Sequence, residues 1–197
     1  MPVATRHRVD HYYDYHPTVV LERPVALAGF FGVELGSIAG ALSQRTGLPA
    51  IELERWIEHE AGRSVSELVL VDGERALRER EVPLLKRALA DQPPAIIALS
   101  DATLTEYDAR KLVLDRSRLI YLRAELEDLL GRIQQHLESS PGCYWPFVLR
   151  GPEHVEDLQA LFDERRAGYE SAELIVEVTG KHPNTVAEEL LGLLSPS

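Results

Sequence analysis

Residues 23–47, RPVALAGFFGVELGSIAGALSQRTG, restrict the fold more than any other stretch of the chain. Residues 25–28 form an apolar run that stops at Gly29. A helical pattern over 37–46 follows, with Ser37 as its expected cap and Gly47 placed to end it. Between them lies the loop from Gly29 to Ser37. Strand, tight loop and helix is how backbone N–H groups are brought together to cradle phosphate, in the pattern G-x-x-x-x-G-K-[ST]. Here Gly29 and Gly32 keep the loop's flexibility, but Glu34 stands at the second glycine of the pattern and Leu35 at the lysine. The hydroxyl position is shared by Gly36 and Ser37. Losing the lysine removes about 4 kcal/mol of Coulomb attraction at contact distance and an effective dielectric of 20. Glu34 adds repulsion of the same order unless it points away. The scaffold for a nucleotide phosphate is present and its chemistry is missing.

The rest of the chain repeats the alternation of strand and helix. Strands are predicted at 49–53, 95–99, 118–122 and 174–178. Helices are predicted at 54–61, 105–112, 125–137, 153–169 and 183–194, the last with Pro183 at its first position. Ser64 and Glu67 form a capping-box pattern, and Asp72 is the expected cap of a long helix through Lys86 and Ala90 that Pro83 can bend. Strand centres are apolar throughout rather than alternating. That predicts an α/β fold, a five-stranded parallel sheet with helices on both faces. Ligands in such sheets bind beyond the C-terminal ends of the strands. The loops at 29–37, 53–54, 100–103 and 139–152 are therefore the informative ones.

Composition narrows the partners. A net charge of -11 argues against bare nucleic acid and anionic membrane. Cys143 is the single cysteine, so no internal disulfide forms, which fits a reducing compartment. No apolar run is long enough to cross a bilayer and the N-terminus lacks a signal-peptide core, so a cytoplasmic location is expected. Residues 1–22 read as a polar, tyrosine-rich extension. Its His7 and His11 would share a helical face near Asp10, Asp14 and His16, but spacing alone does not make a metal site and no metal is assigned.

Several motifs, in order, resemble the shikimate kinase family: GFFG at 29–32, TGLP at 46–49 before Ile51-Glu52-Leu53-Glu54, the stretch from Glu60 to Glu67, Gly73-Glu74 with Leu77, Arg78 and Glu81, and Arg165 with Tyr169. The resemblance runs from about residue 24 to 194 and implies a three-layer domain of the phosphate-loop kinase kind over 23–197, with a lid at about 139–152. It implies that Arg78 and Arg165 grip a substrate carboxylate, for which a guanidinium fork is suited. Surface ion pairing is the alternative for both. Glu52 and Glu54 stand where the family has aspartates serving magnesium and a substrate hydroxyl. Each is one methylene longer, and an acidic helix start is the alternative reading. Ser100-Asp101-Ala102 replaces a glycine triple. There Asp101 brings charge near a carboxylate, accepts from a hydroxyl, or simply turns the chain, the last being preferred. In the lid, Trp145 takes the place of an arginine, with Arg150 nearby.

These readings converge on a degenerate, non-catalytic member of that family. It is expected to bind a small carboxylate through Arg78, Arg165 and Glu54, or a protein through the extension or the lid. The altered loop is Gly29, Gly32, Glu34, Leu35, Gly36 and Ser37, and neither ATP nor magnesium is expected as a cofactor. The alternative is an ATP-dependent kinase of shikimate or a related hydroxy acid, with Arg45, Arg150 or Lys181 replacing the lost lysine. A third reading is a purely structural partner with an empty cleft.

Overall fold

The computed structural model describes residues 19–91, 93–139 and 152–194. Five strands form one parallel sheet: β1 Val25–Ala28, β2 Ala50–Glu52, β3 Ile96–Ala98, β4 Arg118–Arg123 and β5 Leu174–Glu177. Their order is β2-β3-β1-β4-β5. Among the described residues eight α-helices surround it: α1 Leu35–Thr46, α2 Leu53–Ala61, α3 Val65–Asp72, α4 Glu74–Ala88, α5 Tyr107–Arg116, α6 Leu126–Ser139, α7 Val155–Tyr169 and α8 Pro183–Leu194. The expected α/β architecture is therefore the observed one.

The sequence pattern explains the layering. β1 lies in the middle, where Val25 pairs with Ile96 on one side and Arg118 on the other. Val25, Ala26, Leu27, Ile96 and Ile97 have no accessible surface, so both faces of the central strands are covered, as continuous apolar runs require. Each fully buried aliphatic side chain contributes about 1.5–3 kcal/mol. β5 is an edge strand, and its residues alternate between partly buried and exposed.

Several expected boundaries move, three of them near the cleft or its supporting helices. α1 begins at Leu35, not Ser37, because the loop turns more tightly than its length demands: Gly32 sits at φ 86° and Val33 N donates to Phe30 O at 3.2 Å. Ser37 is thus inside the first turn and Glu34 holds the cap position. The long helix expected with Asp72 as its cap begins instead at Glu74, because Gly73, at φ 85° and ψ 162°, holds the cap position and separates it from α3. Asp72 closes α3 and pairs with Arg63 at 2.6 Å, while Pro83 lies inside α4 without ending it. The helix expected at 105 starts at Tyr107, preceded by a 3₁₀ turn at Thr103–Thr105. Ser64 and Glu67 form their capping box as read: Glu67 N donates to Ser64 Oγ at 3.2 Å and Ser64 N donates to the Glu67 carboxylate at 2.9 Å.

The 3₁₀ turn packs against α7 through a close approach at Gly168. A Cβ there would lie 2.8 Å from both Leu104 Cβ and Leu104 O. Gly168→Ala is therefore expected to destabilise by about 2 kcal/mol, the overpacking cost less the helix-propensity gain. Gly131→Ala, in α6 with nothing within 4 Å of the added carbon, is expected to stabilise by about 0.5–1 kcal/mol. Urea denaturation of the two variants side by side checks the opposite signs.

Candidate functional site

The C-terminal ends of β1, β2 and β3 open onto a cavity of about 510 Å³. The whole 29–37 loop lines it, with the starts of α2 and α3 and the segment after β3. This volume is within the usual range for small-molecule sites, roughly 300–1,000 Å³. The extension histidines and the lid residues Trp145 and Arg150 lie outside the described residues.

The loop's backbone is that of a turn leading into a helix, but an unusual residue holds its key position. Glu34 adopts φ 52° and ψ 45°, the sole non-glycine positive φ among the described residues. A residue with a Cβ pays about 1–2 kcal/mol for this left-handed conformation. Its side chain makes no capping hydrogen bond. Next to it, a Cβ placed on Gly36 would overlap the Glu52 carboxylate. Glu52 therefore occupies the space that a serine or threonine side chain at position 36 would need. Arg55 Nε reaches that carboxylate at 3.0 Å from the exposed side.

The charges on the wall are one-sided. Glu34, Glu52, Glu54, Glu58 and Asp101 line the cavity, and no lysine or arginine does so among the described residues; His136 is the one other titratable side chain there. Arg45 bonds Ala41 O and Glu188, and Lys181 pairs with Glu189 at 2.8 Å, so both point their charge toward α8 rather than into the loop.

The two arginines expected to grip a carboxylate sit behind this wall, each on an internal acid. Arg165 is 3% exposed, and its Nε donates to Asp101 Oδ2 at 2.6 Å while Nη1 donates to Leu161 O at 2.9 Å. Its guanidinium lies over the Phe31 ring at 5.6 Å. Arg78 Nη1 donates to Glu81 Oε2 at 2.6 Å, and the other Glu81 oxygen accepts from Thr103 Oγ1 at 2.5 Å. Arg78 Nε and Ser100 Oγ are buried without a hydrogen-bond partner among the described residues. Asp101 does lie in a turn, closed by Thr103 N donating to Ser100 O at 3.2 Å, but it does more than turn the chain. It is buried, its carboxylate is held by Arg165, and its backbone oxygen accepts from the Tyr169 hydroxyl at 2.7 Å. Asp101 thus ties the loop after β3 to α7 at two points.

Burial and crowding of acids raise the proton affinity of two of them. Burial, followed by the neighbouring Asp101 and Glu81 carboxylates, pushes Glu54 up to about 7, although cleft water still reaches it. Burial pushes Asp101 up to about 6 against the pull of Arg165 and Arg78, leaving it largely ionised at neutral pH. Both folded-state values exceed the unfolded ones, so the folded protein binds more protons across pH 4–7. Their stabilising contribution is full in acid and is lost as pH rises through about 6 and about 7. The melting temperature is expected to rise as pH falls from about 8 to about 6. Glu54→Gln should flatten that slope and add about 1 kcal/mol at pH 8, the full linkage value being reduced by solvent screening. Melting curves of wild type and variant at the two pH values decide it.

Glu81, Thr103 and Glu58 were not singled out by sequence reasoning. Glu81 was visible only as part of a motif, and nothing local marks Thr103, 22 positions away, as its partner.

A parallel sheet whose first strand enters a helix through a phosphate-type loop, with a cleft at its C-terminal edge, defines an α/β protein of the phosphate-loop kinase kind. The chain belongs to the shikimate kinase family, whose description "Shikimate kinase" matches residues 36–195. A shikimate kinase of Caulobacter vibrioides is 31% identical over 169 residues, spanning 86% of this chain and 80% of its own. One from Chromobacterium violaceum is 30% identical over 172 residues, spanning 87% and 89%. Among solved structures, a shikimate kinase from Acinetobacter baumannii in complex with shikimate superposes with a TM-score of 0.76 over 87% of this chain and 92% of that one, at 21% identity. No described helix is long and apolar enough to cross a membrane.

Proposed function

We propose that this chain is a member of the shikimate kinase family that does not transfer phosphoryl groups and uses its cleft to bind a small hydroxylated molecule. The observation that carries this reading is the described lining of the cavity, which has five carboxylates and no lysine or arginine. A triphosphate entering there loses the lysine that Leu35 replaces and meets Glu34 and Glu52 at the helix start where its oxygens would bind. Phosphoryl transfer depends on positioning and on stabilising charge at the transferred group, and this wall supplies charge of the wrong sign. ATP does not fit this wall, and among the described residues no group of three or more His, Cys, Asp or Glu side chains is placed to hold a metal ion, so no step is assigned to nucleotide or magnesium. Glu54 and Glu58 offer acceptors for hydroxyl groups, as a ring of the shikimate type carries.

Calorimetric titration with ATP and magnesium is expected to give no saturation below millimolar nucleotide, and a coupled assay with added shikimate no ADP above background. Micromolar ATP affinity or measurable turnover overturns the proposal. It would establish instead the second reading, supported by the shikimate kinases at about 30% identity: an active small-molecule kinase with a rebuilt phosphate site.

A further inference from the structure

We propose that Asp101 serves as the site's resident carboxylate, occupying Arg165 in place of an acidic ligand, so that the cleft selects uncharged hydroxylated molecules over acids. This rests on the reading that the cleft binds a small molecule. Asp101 lines the cavity while Arg165 lies behind it, with its Nε and Nη1 already engaged. An incoming carboxylate reaches that guanidinium only by displacing Asp101. Displacement leaves a buried acid without its partner, which costs more than the exchange returns. Tyr169 donates to the Asp101 backbone oxygen at 2.7 Å and so fixes the main chain there, leaving the buried carboxylate only side-chain rotation by which to leave Arg165. Arg78 is held through Nη1 by Glu81 at 2.6 Å, Glu81 being held in turn by Thr103, and although its Nε has no partner among the described residues it does not line the cavity. The opposite wall adds Glu52, Glu54 and Glu58. Every ionised group that faces the cavity among the described residues is thus an acceptor. Hydroxyl hydrogens satisfy acceptors, and a second negative charge repels them.

Two probes differ in charge and hardly in shape: shikimate and its carboxamide. Amide chemical-shift titration of the full chain at about pH 8, without nucleotide, reads binding at residues of the 29–37 loop. The carboxamide is expected to bind at least tenfold more tightly than shikimate. Asp101→Asn, which keeps the side chain's shape and removes its charge, should bring the two affinities to within about threefold by tightening shikimate. Asp101→Ala should do the same, and serves where the asparagine variant does not fold. Shikimate binding wild type as tightly as the carboxamide overturns the inference and leaves small-molecule binding intact. Folded Asp101 variants that keep the full preference also overturn it. No shift with either probe removes both the inference and the binding reading.

Discussion

Arg165→Ala is expected to lower stability by about 3–5 kcal/mol, the usual cost of removing one partner of a buried ion pair. The side chain is 4% exposed and leaves behind the Asp101 carboxylate, 7% exposed, with no other hydrogen-bond donor among the described residues. The Leu161 carbonyl also loses its side-chain donor, and the Phe31 ring loses the cation above it. The size of the effect should depend on pH. Without the guanidinium, the folded-state value of Asp101 rises further above its unfolded value, so the variant binds an extra proton on folding. The loss should be greatest near pH 8 and shrink as Asp101 protonates in acid. Urea denaturation at pH 8 and pH 5 tests this, and a loss below about 1 kcal/mol at both would show that the pair contributes little. Adding Asp101→Asn to Arg165→Met should recover much of the deficit, since the cost lies in the orphaned charge.

Glu34→Gly with Leu35→Lys is expected to tighten ATP binding by on the order of 100-fold, read by calorimetry with magnesium. The first change removes a like charge and the second adds an opposite one, each worth up to about 4 kcal/mol at contact in an effective dielectric of 20. The remaining Glu52 and Glu54 keep the gain below the sum. Glu34→Gly alone should stabilise the fold by about 1 kcal/mol, because glycine accepts φ 52° without a Cβ penalty. Introducing the hydroxyl by Gly36→Ser needs Glu52→Asp beside it, since the Glu52 carboxylate fills that space. A change under threefold in ATP affinity for the double variant would mean that something other than this loop bars the nucleotide.

Some of the site was legible in the sequence because its signal is local. The strand, glycine loop and helix around Gly29–Ser37 announce themselves by spacing, and the replacement of lysine by Leu35 needs no coordinates. The start of α1 was misplaced because Ser37 is a good cap by type, whereas the tight turn at Gly32 commits Glu34 to that position. The turn at Asp101 follows from its residue type, but its pairing with Arg165, 64 positions away, has no local signal.

From the chain alone followed the parallel α/β class, the position of the cleft at the strand ends and the missing lysine, since periodicity, strand polarity and residue type are properties of short segments. The folded structure alone decided that Glu52 covers Gly36, that the arginines are spent on internal acids, and that the cleft wall is acidic. Those are pairings between distant segments, and charge balance in a cavity depends on which side chains packing brings face to face.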